Sequence, residues 1–238
     1  MPSAHKLKLE IRPEVKEKRY NWYAMSRYAS DYFHLFELPK IIYIHTAVHH
    51  KFYYDEEGYY INNSCYLISN ADKFLSVWLN SKIFSFYKKL NFVAYGDSFE
   101  SGRAKLDYNK MINVPIPNIS ENKKQPFIEK ADQMLSLNKE LQEISEKFQR
   151  NLQREFSLET LSKKLQNWYE LSFADFLKEL SKSKGSRPLG LSEKAEWEDY
   201  FLQEQQKAIP IKSKIEQTDA AIDQMVYELY GLTEEEIE

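Results

Sequence analysis

The stretch Met111-Ile112-Asn113-Val114-Pro115-Ile116-Pro117 (MINVPIP, 111–117) separates two kinds of sequence. Two prolines one residue apart fix φ and remove amide donors, so the segment reads as an extended connector. After it, apolar residues recur with a helical period. Before it, aromatic and β-branched clusters alternate with short polar turns.

On the C-terminal side, Met134, Leu141 and Phe148 fall seven apart, with Leu137 and Ile144 between them. Phe201, Ala208, Ile215, Ile222 and Leu229 form a second sevenfold series, interleaved by Trp197, Ile211 and Met225. Such series predict two long helices in coiled-coil-like contact, the first following Pro126. Pro210 is expected to kink the second helix, because it lacks the N–H that the ladder needs. Phe156–Trp168 and Phe173–Leu180 read as shorter helices, and 182–190 as a loop. Gly231 suits a helix C-terminus, and Thr233 with Glu236 fits a capping box.

On the N-terminal side, Lys40-Ile41-Ile42-Tyr43-Ile44 reads as a strand. Lys51-Phe52-Tyr53-Tyr54, the acidic turn Asp55-Glu56-Glu57-Gly58, and Tyr59-Tyr60-Ile61 carry a hairpin signal. Ser64–Ser69 continues as a strand. Asn70 or Asp72 can cap one helix whose apolar face runs from Phe74 to Tyr87. The fold class expected is α+β (mixed), with an N-terminal α/β domain over 1–120 and a long-helix, coiled-coil-like region over 121–238.

The composition supports a folded chain, since 42% of its 238 residues are hydrophobic and 29% charged. Residues 1–125 carry 18 Lys+Arg against 13 Asp+Glu, whereas 126–238 carry 15 against 23. A basic, aromatic-rich front and an acidic rear imply different partners, with polyanions sought at the front. The lone Cys65 excludes an internal disulfide and fits a reducing compartment. No apolar run approaches the ~20 residues of a membrane span, and Met1–Arg12 lacks the apolar core of a signal peptide. A cytoplasmic location is expected.

Several chemistries lack their residues. The six glycines stand at 58, 96, 102, 185, 190 and 231, no two of them separated by a single residue. Neither a GxGxxG turn nor a Walker loop can be built from them. Asn113-Val114-Pro115-Ile116-Pro117 is not the Asn/Asp-Pro-Pro-aromatic grip of amino-methyltransferases. His45 and His49 would share a face if helical, but no Cys, second His pair or HExxH accompanies them, and the segment reads as a solvated or DNA-facing turn. Asp55-Glu56-Glu57 reads as a hairpin tip rather than a nuclease metal site.

The order of features then resembles a known family. Trp22-Tyr23, Pro39-Lys40-Ile41-Ile42-Tyr43 and Tyr60-Ile61-Asn62-Asn63-Ser64-Cys65-Tyr66 look like a TaqI-like specificity domain. Phe74-Leu75 through Leu79-Asn80-Ser81-Lys82-Ile83 resembles that family's LL-x-LLNS helix. The exit Val114-Pro115-Ile116-Pro117 into a long helix is similar to that of type I specificity subunits. Asp223 to Thr233 resembles the C-terminus of Eco57I-like restriction–modification enzymes. What is missing is the methyltransferase domain, so the chain reads as the C-terminal part of a larger enzyme or as a specificity fragment.

The resemblance implies a non-catalytic chain that reads double-stranded DNA for a restriction–modification enzyme. It would position a separate N-terminal adenine N6-methyltransferase or endonuclease domain, and S-adenosylmethionine and Mg would belong to those catalytic parts. Base readers and phosphate contacts are expected on the front loops: Lys51, Tyr53, Tyr54, Asn62, Asn63, Ser98, Ser101, Arg103 and Lys105. Arg103 leads, because its planar fork can bond a base or phosphate bidentately. No membrane partner is expected, and self-association could use the helices. The alternative is a coiled-coil assembly module that docks a methyltransferase partner without reading DNA.

Overall fold

The computed structural model describes residues 4–24, 32–92, 103–183 and 189–237. The helices are α1 (Ala4–Glu10), α2 (Pro13–Lys16), α3 (Lys73–Asn80), α4 (Lys82–Asn91), α5 (Tyr108–Met111), α6 (Glu121–Glu155), α7 (Lys163–Gln166), α8 (Phe173–Leu180), α9 (Leu191–Tyr230) and α10 (Glu234–Ile237). The strands are β1 (Lys40–Ile44), β2 (Thr46–Ala47), β3 (Phe52–Asp55), β4 (Cys65–Ser69) and β5 (Ala104–Lys105). The fold is α+β, with small sheets in the front half and long helices behind.

An antiparallel sheet runs in the order β3-β1-β4, and β2 pairs with β5 in a separate ribbon. The register places Ile41 opposite Tyr54 and Ile68, and Tyr43 opposite Phe52 and Tyr66. With a period of two, these residues share one face. That face packs on Phe74, Val77 and Trp78 of α3 and on Phe84 of α4.

The expected hairpin is not formed. Residues 59–61 are not a strand, and β3 pairs with β1 instead. The cause is Asp55, a fully buried residue whose carboxylate accepts the amides of Glu57 and Tyr59, each at 2.9 Å. It also meets the equally buried Lys40 ammonium. Gly58, at φ +81°, completes the turn, and Tyr60 stacks on Phe36 with ring centroids 4.9 Å apart. Asp55 is therefore an internal structural acid rather than part of an exposed tip.

The single helix expected over 74–87 is two helices. Asp72 caps α3 through the Leu75 amide at 2.8 Å. Ser81 then turns extended, at φ −71° and ψ 161°, and caps α4. Asp223 of α9 supplies a second acceptor there, taking the Lys82 amide at 2.8 Å. An anionic side chain at a helix N-terminus compensates unpaired amides and the positive end of the helix dipole.

The two long helices are present. α6 starts at Glu121 with Pro126 inside it, earlier than the heptads suggest, and α9 continues through Pro210 without ending. They pack antiparallel. Phe127 and Ala131, early in α6, share the front core with Ile222 and Val226, late in α9. Phe148 and Leu152 instead share a rear core with Phe201, Trp168 of the linker and Phe176 of α8. There Phe148 and Trp168 stack at 3.8 Å between centroids. The front core thus crosses residue 120, drawing on one end of the helical pair, the start of α6 and the end of α9. Trp78 Nε1 reinforces the junction by donating to the Tyr230 hydroxyl at 3.1 Å. Gly231 ends α9 at φ +65°, and Thr233 N–H donates to Glu236 Oε2 at 2.9 Å.

Candidate nucleic-acid interface

One end of the sheet collects polar residues from three separate segments. β1 finishes there at Ile44, while β3 and β4 begin there at Phe52 and Cys65. The Asn62 carboxamide accepts the Ser64 amide at 2.9 Å, and the Asn62 carbonyl accepts from Cys65 at 3.2 Å. This self-bonded turn leaves Asn62, Asn63 and Ser64 exposed. The Ser64 carbonyl then accepts from His45 N at 3.3 Å, tying the turn to the start of β2.

The ribbon brings in the third segment. Thr46 pairs with Lys105 and Ala47 with Ala104, and Leu106 N donates to the His45 carbonyl at 2.8 Å. Ala104 and Leu106 are buried, so the alternate residues Arg103 and Lys105 are carried on the opposite side of the strand. Arg103 is exposed; Lys105 is half-buried and pairs with Asp107 at 3.0 Å. Lys51 is exposed just before β3. The neighbouring Phe52 backbone is closed off by the Asn80 carboxamide, which accepts from Phe52 N at 3.1 Å and donates to Phe52 O at 2.8 Å.

The structure therefore brings Lys51, Asn62, Asn63, Arg103 and Lys105 to one end of the fold. Tyr53 lies on the outer sheet face, 46% exposed, with Tyr59 beside it at 6.4 Å between ring centroids. Burial, followed by the charges of Glu57 and Asp55, raises its phenol pKa. Tyr54 faces the other way, into the core, with Lys73 Nζ 5.5 Å from its ring centre. The pleat alone separates the adjacent tyrosines. Ser98 and Ser101 lie outside the described residues.

Sequence reasoning missed His50, Lys88 and Lys110. Lys88 Nζ donates to the Val48 carbonyl at 3.3 Å and lies 3.4 Å from His50 Nδ1. Burial, reinforced by Lys88, lowers the His50 pKa to about 4 against the opposing contact with the His45 backbone, so this imidazole is neutral at pH 7. Lys110 Nζ donates to the carbonyl of Asn91, the last residue of α4, at 2.7 Å. Cations in a helix's last turn are a legible signal, but only the fold sets Lys88 against the segment after β2 and Lys110 against the end of α4.

The helical reading of His45 and His49 does not hold, because β2 and flanking turns occupy the segment. His45 Nδ1 instead lies 2.7 Å from Thr46 Oγ1, with its ring 5.0 Å from that of Tyr66. Among the described residues no group of three His, Cys, Asp or Glu side chains could hold a metal ion. No described helix is long and apolar enough to cross a membrane.

Residues 6–116 match the family model of the TaqI-like C-terminal specificity domain. The front of this chain is thus similar to a TaqI-like specificity domain. It takes in both sheets, α3, α4 and α5, and therefore the whole polar end just described. Residues 120–226 match a second family, described as a domain of unknown function. The chain is also similar to the Type II methyltransferase M.BanIII of Aneurinibacillus aneurinilyticus, with 26% identity over 138 residues. That match covers 56% of this chain but 23% of the relative, so the chain spans only a small part of that protein.

Proposed function

We propose that this chain binds duplex DNA and selects its sequence for a restriction–modification methyltransferase, using the sheet end as its reading surface. The observation that carries the proposal is the convergence of Lys51, Asn62, Asn63, Arg103 and Lys105 from three segments within a specificity domain. Asparagine carboxamides can pair with adenine, and an arginine fork with guanine, in the major groove. Lysines supply phosphate contacts that set register without reading sequence. The catalytic step, with S-adenosylmethionine as methyl donor to adenine N6 and Mg for any cleavage, would belong to a separate domain. The acidic helical pair is then a mount that places such a domain relative to the reader.

Gel-shift titrations of the chain on duplex DNA across a salt series test this reading. Affinity should fall steeply with salt, by ~0.9 in log K per log salt for each phosphate engaged. Arg103→Ala should weaken binding. Binding that ignores salt, or no binding even with the methyltransferase part supplied, overturns the reading. A concentration-dependent dimer indifferent to DNA, seen by light scattering, would favour an assembly module instead.

A further inference from the structure

α4 is apolar on a face that the core does not use. Ile83, Phe84 and Tyr87 pack inward, yet Phe86 is 62% and Leu90 69% exposed. At 100° per residue, Lys82, Phe86, Lys89 and Leu90 fall within an arc of about 100°. A surface helix ordinarily places polar residues opposite its core stripe. Here two large apolar side chains, one turn apart, are framed by two exposed lysines instead. The helix carries three lysines and no carboxylate of its own.

The helix is also placed beside the reading end. Through Lys88 it touches Val48 and His50 in the segment leading to Lys51, and Lys110 closes its C-terminus. Asp223 of α9 borders the face at its N-terminal end, 3.5 Å from Lys82 Nζ. Asp219, whose carboxyl pKa is raised by burial and by Asp223, lies within electrostatic reach of Lys51 and Lys82. The acidic helix thus bounds the basic face without covering Phe86, Lys89 or Leu90.

We infer that this face of α4 is a second DNA-contacting surface, resting on the DNA-reading assignment above. Lys89 meets a phosphate there, while Phe86 and Leu90 press on sugar or base edges. Cationic side chains around apolar ones match a duplex, whose phosphates flank the apolar faces of sugars and thymine methyl groups. Apolar side chains used this way add affinity that does not depend on counterion release.

The test is salt-dependent DNA binding by the full chain and by two variants, with circular dichroism confirming their folding. Lys89→Ala should reduce the salt slope by ~0.9. Phe86→Ala/Leu90→Ala should lose roughly tenfold or more in affinity, as expected when a large apolar side chain leaves a contact, with the slope unchanged. Folded variants that match wild type on DNA overturn the inference. So does a Phe86→Ala/Leu90→Ala chain that keeps DNA affinity but no longer associates with a separately supplied methyltransferase domain, since the face is then a protein dock. A wild-type chain that fails to bind DNA refutes the reading assignment as well as the role of α4.

Discussion

Replacing Asp55 by alanine should be among the most damaging single changes in the front domain. Both Asp55 and Lys40 are fully buried. The carboxylate takes the ammonium and two backbone amides, and among the described residues the ammonium has only the Phe36 carbonyl besides. Truncation leaves the lysine charge in the interior with one neutral acceptor, and breaking a buried pair from one side costs about 3–5 kcal/mol. The amides of Glu57 and Tyr59 stand at a surface turn, where water can replace the lost oxygens, so they add little. For a chain of this size, ~2–4 °C per kcal/mol places the melting temperature roughly 6–20 °C lower. Urea denaturation of wild type, Asp55→Ala, Lys40→Met and the double variant measures the effect. The double variant should be less destabilised than the sum of the singles by about 2 kcal/mol or more, because it buries no unpaired charge. An Asp55→Ala cost below about 1 kcal/mol, or strict additivity, would refute the reasoning.

Two further outcomes follow from the same packing. His50 should titrate near pH 4 rather than 6.5 in NMR spectra of the folded chain. Its folded-state pKa lies below the ordinary value, so its neutral form contributes stability in full above pH 6.5, lost as pH falls towards 4. An imidazole titrating near pH 6.5 would mean that the ring is not buried beside Lys88 in solution. Ile222→Ala, in α9, should cost about 2–5 kcal/mol and lower amide protection in β1, since Ile222 belongs to the core containing Ile41 and Tyr43. Unchanged exchange in β1 would show that the helix and sheet fold independently.

The parts of this fold legible in sequence are those decided within one turn or one strand. Lys40–Ile44 and Cys65–Ser69 are strands because β-branched and aromatic residues run between breakers. Gly231 ends a helix because only a residue tolerant of positive φ suits that position. What the sequence concealed depends on distant partners. Glu57 and Gly58 read as a hairpin tip until Lys40, from another strand, pulls Asp55 inside. The break at Ser81 is invisible in a run of good helix spacing, because part of its stabilisation comes from Asp223, 141 residues beyond the Lys82 amide that it accepts. The site divides along the same line. Asn62, Asn63 and Arg103 were legible as polar loop residues, whereas Lys88 gains meaning only once α4 meets the 48–50 segment. Tyr53 and Tyr54 were indistinguishable as neighbours, and the alternation of β3 sends one outward and the other into the core. A recognition surface assembled from loop ends is therefore readable as a set of residue types, while its membership is decided by the tertiary contacts that hold those ends together.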